Sequence, residues 1–153
     1  LSLARREADL AFRIRPFVEP DVVSRKLLHM PYRVYVRVGS PRPTAGDGAG
    51  HSLIGLESGF SGTPDDSWLK HALPNARISF RSNNRDVQAR MCQLGAGIAV
   101  LPQPLGDGLD GIERLDLGSD PPGRDTWIAW HRDLRKLARL RAFIDLGVAR
   151  LAV

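Results

Sequence analysis

Cysteine is nearly absent from this sequence, with Cys92 standing alone among 153 residues. An internal disulfide is therefore impossible, and the oxidative stapling on which small secreted domains rely is excluded. Cys92 reads as a small buried hydrophobe rather than a reactive thiol. Lysine is almost as scarce, three residues against nineteen arginines. Aromatic residues make up only 7% of the chain, too few for the stacking platforms that bind single-stranded nucleic acid. No apolar run approaches the roughly 20 residues of a membrane helix. No basic leader with an apolar segment and a small-residue cleavage site opens the chain, so a cytoplasmic location is expected. The four histidines, His29, His51, His71 and His131, are scattered without a His or Cys neighbour at metal-ligand spacing, so no metal site is expected. A G-x-S-x-G elbow is missing too. Gly95-Ala96-Gly97 follows a helical pattern and precedes a strand, the reverse of a nucleotide fingerprint. With no catalytic constellation and no cofactor motif, the chain does not read as an enzyme.

What is present is an ordinary globular composition, 42% hydrophobic and 25% charged, in a chain long enough for a real core. The net charge of +5 is dispersed, apart from the spaced set Arg132, Arg135, Lys136, Arg139 and Arg141, and reads as an arginine-rich solvated surface. The first residue is Leu, which reads as a fragment or a processed product.

Leu10, Phe12 and Ile14 alternate with polar or small residues, a strand that Pro16 stops. Val22 to Leu28 fits either helix or strand. Tyr32 to Val38, YRVYVRV, is the clearest alternating strand, with Val34, Val36 and Val38 on one face and Arg33, Tyr35 and Arg37 on the other. Gly39 to Gly50 is a glycine- and proline-rich loop, followed by a strand over Ser52 to Leu56 and a polar turn over Glu57 to Pro64. Asp65 to Leu73 fits a short helix with Asp65 and Asp66 at its N-terminal end.

The stretch Ser79 to Pro102 carries the most pattern. An apolar run ends at Phe80, and Ser82, Asn83 and Asn84 then offer N-cap side chains. Val87, Met91 and Leu94 mark one helical face. Gly95 and Gly97 are suited to stop the helix through φ > 0. Ile98 to Leu101 reads as a strand buried on both sides. Further on, Ile112 to Leu117 and Thr126 to Trp130 read as strands. Leu137, Leu140, Ile144, Val148 and Leu151 recur as a final amphipathic helix. Strands alternating with helices predict an α/β fold with a largely parallel sheet.

Open α/β sheets bind ligands at the carboxyl ends of their strands. The candidate walls are accordingly Glu57, Ser58, Gly59 and Phe60 after one strand, the helix start around Asn83, Asn84 and Val87, and Arg13 at the end of the first strand. Each has a plain alternative: capping for the asparagines, a surface position for Arg13, loop anchoring for Phe60.

Taken in order, these stretches resemble one family. ARREADLAFRI looks like the opening "G-x-x-D-l-a-i-r" strand of LysR-type transcriptional regulators. YRVYVRVGSP is similar to the entry into their second effector lobe, and RSNNRDVQARMCQLGAGIAVLP resembles their "s-n-s … v-x-a-G-x-G-i-a-x-L-P" stretch. IERLDL, TWIAWHRD and LRAFIDLGVARL resemble the return strands and last helix. The resemblance implies a periplasmic-binding-protein-like (type 2) effector domain of two α/β lobes. Residues 1–16 and 124–153 would belong to the first lobe and residues 17–123 to the second. A small-molecule effector, with a small organic acid as the candidate, would bind between the lobes, touching Arg13, Glu57 to Phe60, Asn83, Asn84 and Val87. It would act on promoter DNA through a separate N-terminal winged helix-turn-helix, within a homo-oligomer (dimer or tetramer). The resemblance also implies that the opening part of the first lobe is missing, leaving apolar surface along Val87, Met91 and Leu94 or along the last helix. A solute-binding protein of a transporter shares this architecture and is the competing expectation.

Overall fold

Tyr32, Val34, Tyr35 and Val36 are all buried in a strand whose sequence alternates valine with arginine and tyrosine. The strand is therefore covered on both faces, and Tyr35 goes into the core rather than onto the solvent side with Arg37. A computed structural model describes residues 3, 7–57, 59 and 62–151, the side chain at position 135 excepted. The chain order is β1 (Leu10–Arg13), β2 (Val22–Met30), β3 (Tyr32–Arg37), β4 (Ser52–Gly55), α1 (Pro64–Ala72), β5 (Arg77–Arg81), α2 (Arg85–Gln93), β6 (Ile98–Pro102), α3 (Gln103–Asp107), β7 (Ile112–Arg114), β8 (Arg124–His131) and α4 (Ala138–Leu151). A 3-10 turn over Arg132–Lys136 precedes α4.

The contacts divide the chain into two units, residues up to Met30 with those from Arg124 onward, and Pro31–Gly123. The first boundary falls after Met30 rather than after Pro16. Val22 to Leu28, which fitted helix or strand, lies in a strand, Val22–Met30, hydrogen-bonded along Arg124–His131. That pairing ties it to the unit holding β8.

The first unit is a three-stranded sheet in the order β1-β8-β2, antiparallel throughout. Its core gathers Leu27, Ile128, Leu140 and Ile144. The last two come from α4, so two of the five periodic residues reach the core fully. Leu151 is 47% exposed.

The second unit is a five-stranded sheet in the order β5-β4-β6-β3-β7. Only β5, β4 and β6 run parallel; β3 is antiparallel to both β6 and β7. The expected largely parallel sheet is thus a mixed one. β2 and β3 follow each other across Pro31, and β3 returns along β6 instead of crossing over through a helix. Ile98, Ala99, Val100 and Leu101 are all buried, as a strand with both faces covered requires. Burying a side chain such as Leu101 contributes roughly 1.5–3 kcal/mol.

Helix α2 sits on this sheet by a face that shares only the partly buried Met91 with the one its apolar spacing suggested. Gln88, Ala89 and Cys92 are buried, whereas Val87 is 39% and Leu94 73% exposed. Ala89 and Cys92 are small, which lets the helix lie close to the strands, and Gln88 is buried because its amide is bonded. Cys92 is fully buried and burial pushes its thiol up to about 11. Gly95 adopts φ 80° and ends the helix. Gly97 serves differently: a Cβ there would lie 2.7 Å from the Ser52 carbonyl oxygen, so the start of β6 rests directly on the start of β4.

Candidate functional site

The parallel strands β4 and β5 end side by side, at Gly55 and Arg81. The Ser82 N–H donates to the Gly55 carbonyl at 3.1 Å, and Arg81 Nη1 donates to the Leu56 carbonyl at 2.8 Å. Beyond β4 the next two backbone N–H groups are taken by two different helix starts. Leu56 N–H donates to Asp66 Oδ1 at 3.3 Å, in the first turn of α1. Glu57 N–H donates to Asn83 Oδ1 at 3.1 Å, just before α2. Asn83 Nδ2 in turn donates to Glu57 Oε2 at 3.0 Å. The exit of β4 is therefore clamped between the N-terminal ends of both helices.

Asn84 is the N-cap of α2, as its position suggested. Its Oδ1 accepts from Asp86 N–H at 2.9 Å and Val87 N–H at 3.2 Å. Helix α1 differs: Thr63 at its N-cap makes no side-chain cap bond, and Thr63 Oγ1 is buried without a partner among the described residues. First-turn N–H groups and the positive end of the helix dipole suit an anionic or strongly polar group.

Beneath this rim lies a polar floor that the local sequence does not reveal. Asp65 and Asp66, expected only to decorate a helix start, are 1% and 5% exposed. Arg85 pairs with Asp65 and also donates through Nη1 to the Val100 carbonyl and to Gln88 Oε1, each at 2.9 Å. Gln88 Nε2 bridges the carbonyls of Ser82, at 2.6 Å, and Gly55, at 3.3 Å. Asp66 also accepts from Gly62 N–H and Lys70 Nζ. The i, i+3 spacing of Arg85 and Gln88 on the side of α2 facing a buried strand was the only available signal.

Of the expected site residues, Glu57, Asn83, Asn84 and Val87 come together at this end of the sheet, and Gly59 is exposed on the connecting loop. Ser58 and Phe60 lie outside the described residues. Arg13 belongs to the other unit. There its guanidinium bonds Glu19 at 3.0 Å and lies 4.3 Å from the centre of the Phe17 ring.

The LysR substrate binding domain family matches residues 2–152. Among solved structures, the reduced form of the OxyR regulatory domain from Pseudomonas aeruginosa is 24% identical with a TM-score of 0.69, over 96% of this chain and 75% of that one. The CrgA regulatory domain, a LysR-type transcriptional regulator from Neisseria meningitidis, is 21% identical with a TM-score of 0.73, over 97% and 78% of the two chains. The CcmR regulatory domain of Synechocystis PCC6803 in complex with 2-PG is 18% identical with a TM-score of 0.71, over 99% and 78%. No curated protein matches the chain. These likenesses bear out the type 2 periplasmic-binding-protein-like fold, and the family match favours a regulator over a transporter's solute-binding protein. No helix among the described residues is long and apolar enough to cross a membrane.

Proposed function

The chain belongs to the LysR substrate-binding domain family, the effector-sensing part of transcriptional regulators, and from that premise we propose that its effector is a small organic acid held at the carboxyl ends of β4 and β5. The observation that carries the reading is the clamped exit of β4. Glu57 and Asn83 hold each other there, and Asn84 and the uncapped α1 present helix N-termini beside them. A carboxylate seated there would engage the uncapped first turn of α1, with Glu57, Gly59, Asn83, Asn84 and Val87 as its surroundings. The 2-PG complex of the CcmR relative supports a small molecule as the ligand of this fold.

Effector binding alters the grip of a separate winged helix-turn-helix on promoter DNA, within a homo-oligomer. Support for the oligomer comes from β5, an edge strand of its sheet, and from Val87 and Leu94, exposed on α2. An open strand edge and exposed apolar residues each invite pairing with a second surface.

A thermal-shift screen of small organic acids on the protein tests the proposal. At least one acid should raise the midpoint in a saturable way, and the rise should be lost in Asn83→Ala. Sedimentation of the same samples should give a mass above one chain. A screen without any stabilising acid, or a rise unchanged in the variant, would count against this site, and a strictly monomeric mass against the oligomer.

A further inference from the structure

The opposite end of the same sheet holds a second cavity, and we propose that it is a separate binding site for a small oxyanion, a carboxylate or a phosphate. The cavity, of about 280 Å³, is lined at the amino ends of β4 and β6 by Arg37, Ser40, His51, Ser52, Gly95 and Gly97 among others. Because β3 runs antiparallel to β6, its last residue, Arg37, arrives at the end where β6 begins. Glycine turns shape the mouth. Gly50 and Gly95 adopt φ 78° and 80°, and Gly97 lies too close to Ser52 for any side chain.

The lining carries positive and hydroxyl groups without a carboxylate to neutralise them. Arg37 makes no ion pair with any of the described residues, while its Nη1 and Cδ lie only 3.3 Å from where a Cβ on Gly95 would sit. Glu113, which faces Val36 across the strand pair, is engaged by Arg42 at 3.0 Å. Ser40 and Ser52 supply hydroxyls that donate to an oxyanion. His51 is pinned by one ring nitrogen only. Nδ1 lies 3.0 Å from the Ala49 carbonyl, which can only accept, so Nδ1 carries the proton. Its Nε2 is buried with no partner among the described residues. Buried polar atoms nearly always have a partner, and one left over in a cavity wall is what a bound ligand or water would complete. An unpaired guanidinium and two hydroxyls around one small cavity are donors suited to an oxyanion, and the Nε2 lone pair of His51 suits the protonated oxygen of a hydrogen phosphate. This site stands apart from the proposed effector site, at the other ends of β4 and β6, so neither depends on the other.

Titrations with inorganic phosphate and with malonate, followed by backbone amide resonances of the whole chain at constant ionic strength, test the assignment. Saturable shifts at Gly50, His51, Gly95 and Gly97 are expected with one anion or both, and which anion acts identifies the class. In Arg37→Gln, affinity should fall about tenfold or more, as for a lost charge-assisted bond. His51→Phe should weaken phosphate, whose P–OH can donate to Nε2, more than malonate, while leaving the thermal midpoint near that of the unmodified chain. The assignment is overturned if neither anion saturates, if sodium chloride reproduces the shifts, or if Arg37→Gln binds equally well. Shifts confined to Asn83 and Asn84 would also overturn it, while leaving the effector site intact.

Discussion

Glu57 and Asn83 hold each other by a reciprocal pair of hydrogen bonds, Glu57 N–H to Asn83 Oδ1 at 3.1 Å and Asn83 Nδ2 to Glu57 Oε2 at 3.0 Å. They are 26 residues apart in sequence, and both are exposed. A bond to an exposed pair contributes only about 0.5–1 kcal/mol to stability. Asn83→Ala should therefore unfold in urea within about 1 kcal/mol of the unmodified protein. A loss several times larger would mean that the pair supports the fold itself rather than shaping the site.

The buried pair below it behaves differently. Asp65 and Arg85 have side chains 1% and 18% exposed, so removing the carboxylate strands a cation that also anchors Val100 and Gln88. Asp65→Ala is expected to cost about 3–5 kcal/mol, read from the urea midpoint. The double change Asp65→Leu with Arg85→Met should recover much of that loss, because an apolar replacement leaves no charge unpaired. A double variant no better than the single would contradict the account.

Acid and alkali reach one cluster from opposite sides. Hydrogen bonds from Arg114, and then from Tyr35, hold the Asp107 carboxyl down at about 2. Its ordinary value is about 3.9, so its contribution is present above about pH 4 and is lost as pH falls towards 2. Burial first, and then the hydrogen bond to Asp107, push the Tyr35 phenol up to about 12. The contribution from Tyr35 is complete below about pH 10 and is lost as pH rises through about 12. Asp107→Asn should flatten the acid limb of the stability–pH curve, and Tyr35→Phe the alkaline limb. Asp107 and Arg114 are both partly exposed, so the acid effect will be modest. Superimposable curves for all three proteins would contradict these assignments.

The sequence disclosed the elements whose signal is local. Alternation marked β3, a continuous apolar run marked β6, and a side chain with an oxygen at the right step marked Asn84 as the cap. What depended on distant partners was hidden. The buried face of α2 passes through Gln88, which counts as polar in any periodicity, and through Ala89 and Cys92, which are too small to stand out. Asp65 looked like a helix-start acid because Arg85, 20 residues on, gives no local sign of being its partner. The mixed sheet was missed for a similar reason. Alternating helices and strands suggested parallel crossovers, and nothing in YRVYVRV indicates that β3 runs against β6. At the candidate site, Glu57, Asn83 and Asn84 were legible as strand-end and cap residues, while the bonds joining the first two became visible only in the fold.

The central claim, that the effector sits where β4 and β5 end, is most directly tested by hydrogen exchange. The protein would be compared with and without a stabilising acid found by thermal shift. Protection is predicted to rise at the amides of Leu56, Glu57 and the first turn of α2, and the change should vanish in Asn83→Ala. Protection that rises elsewhere while these amides stay unchanged would contradict the account.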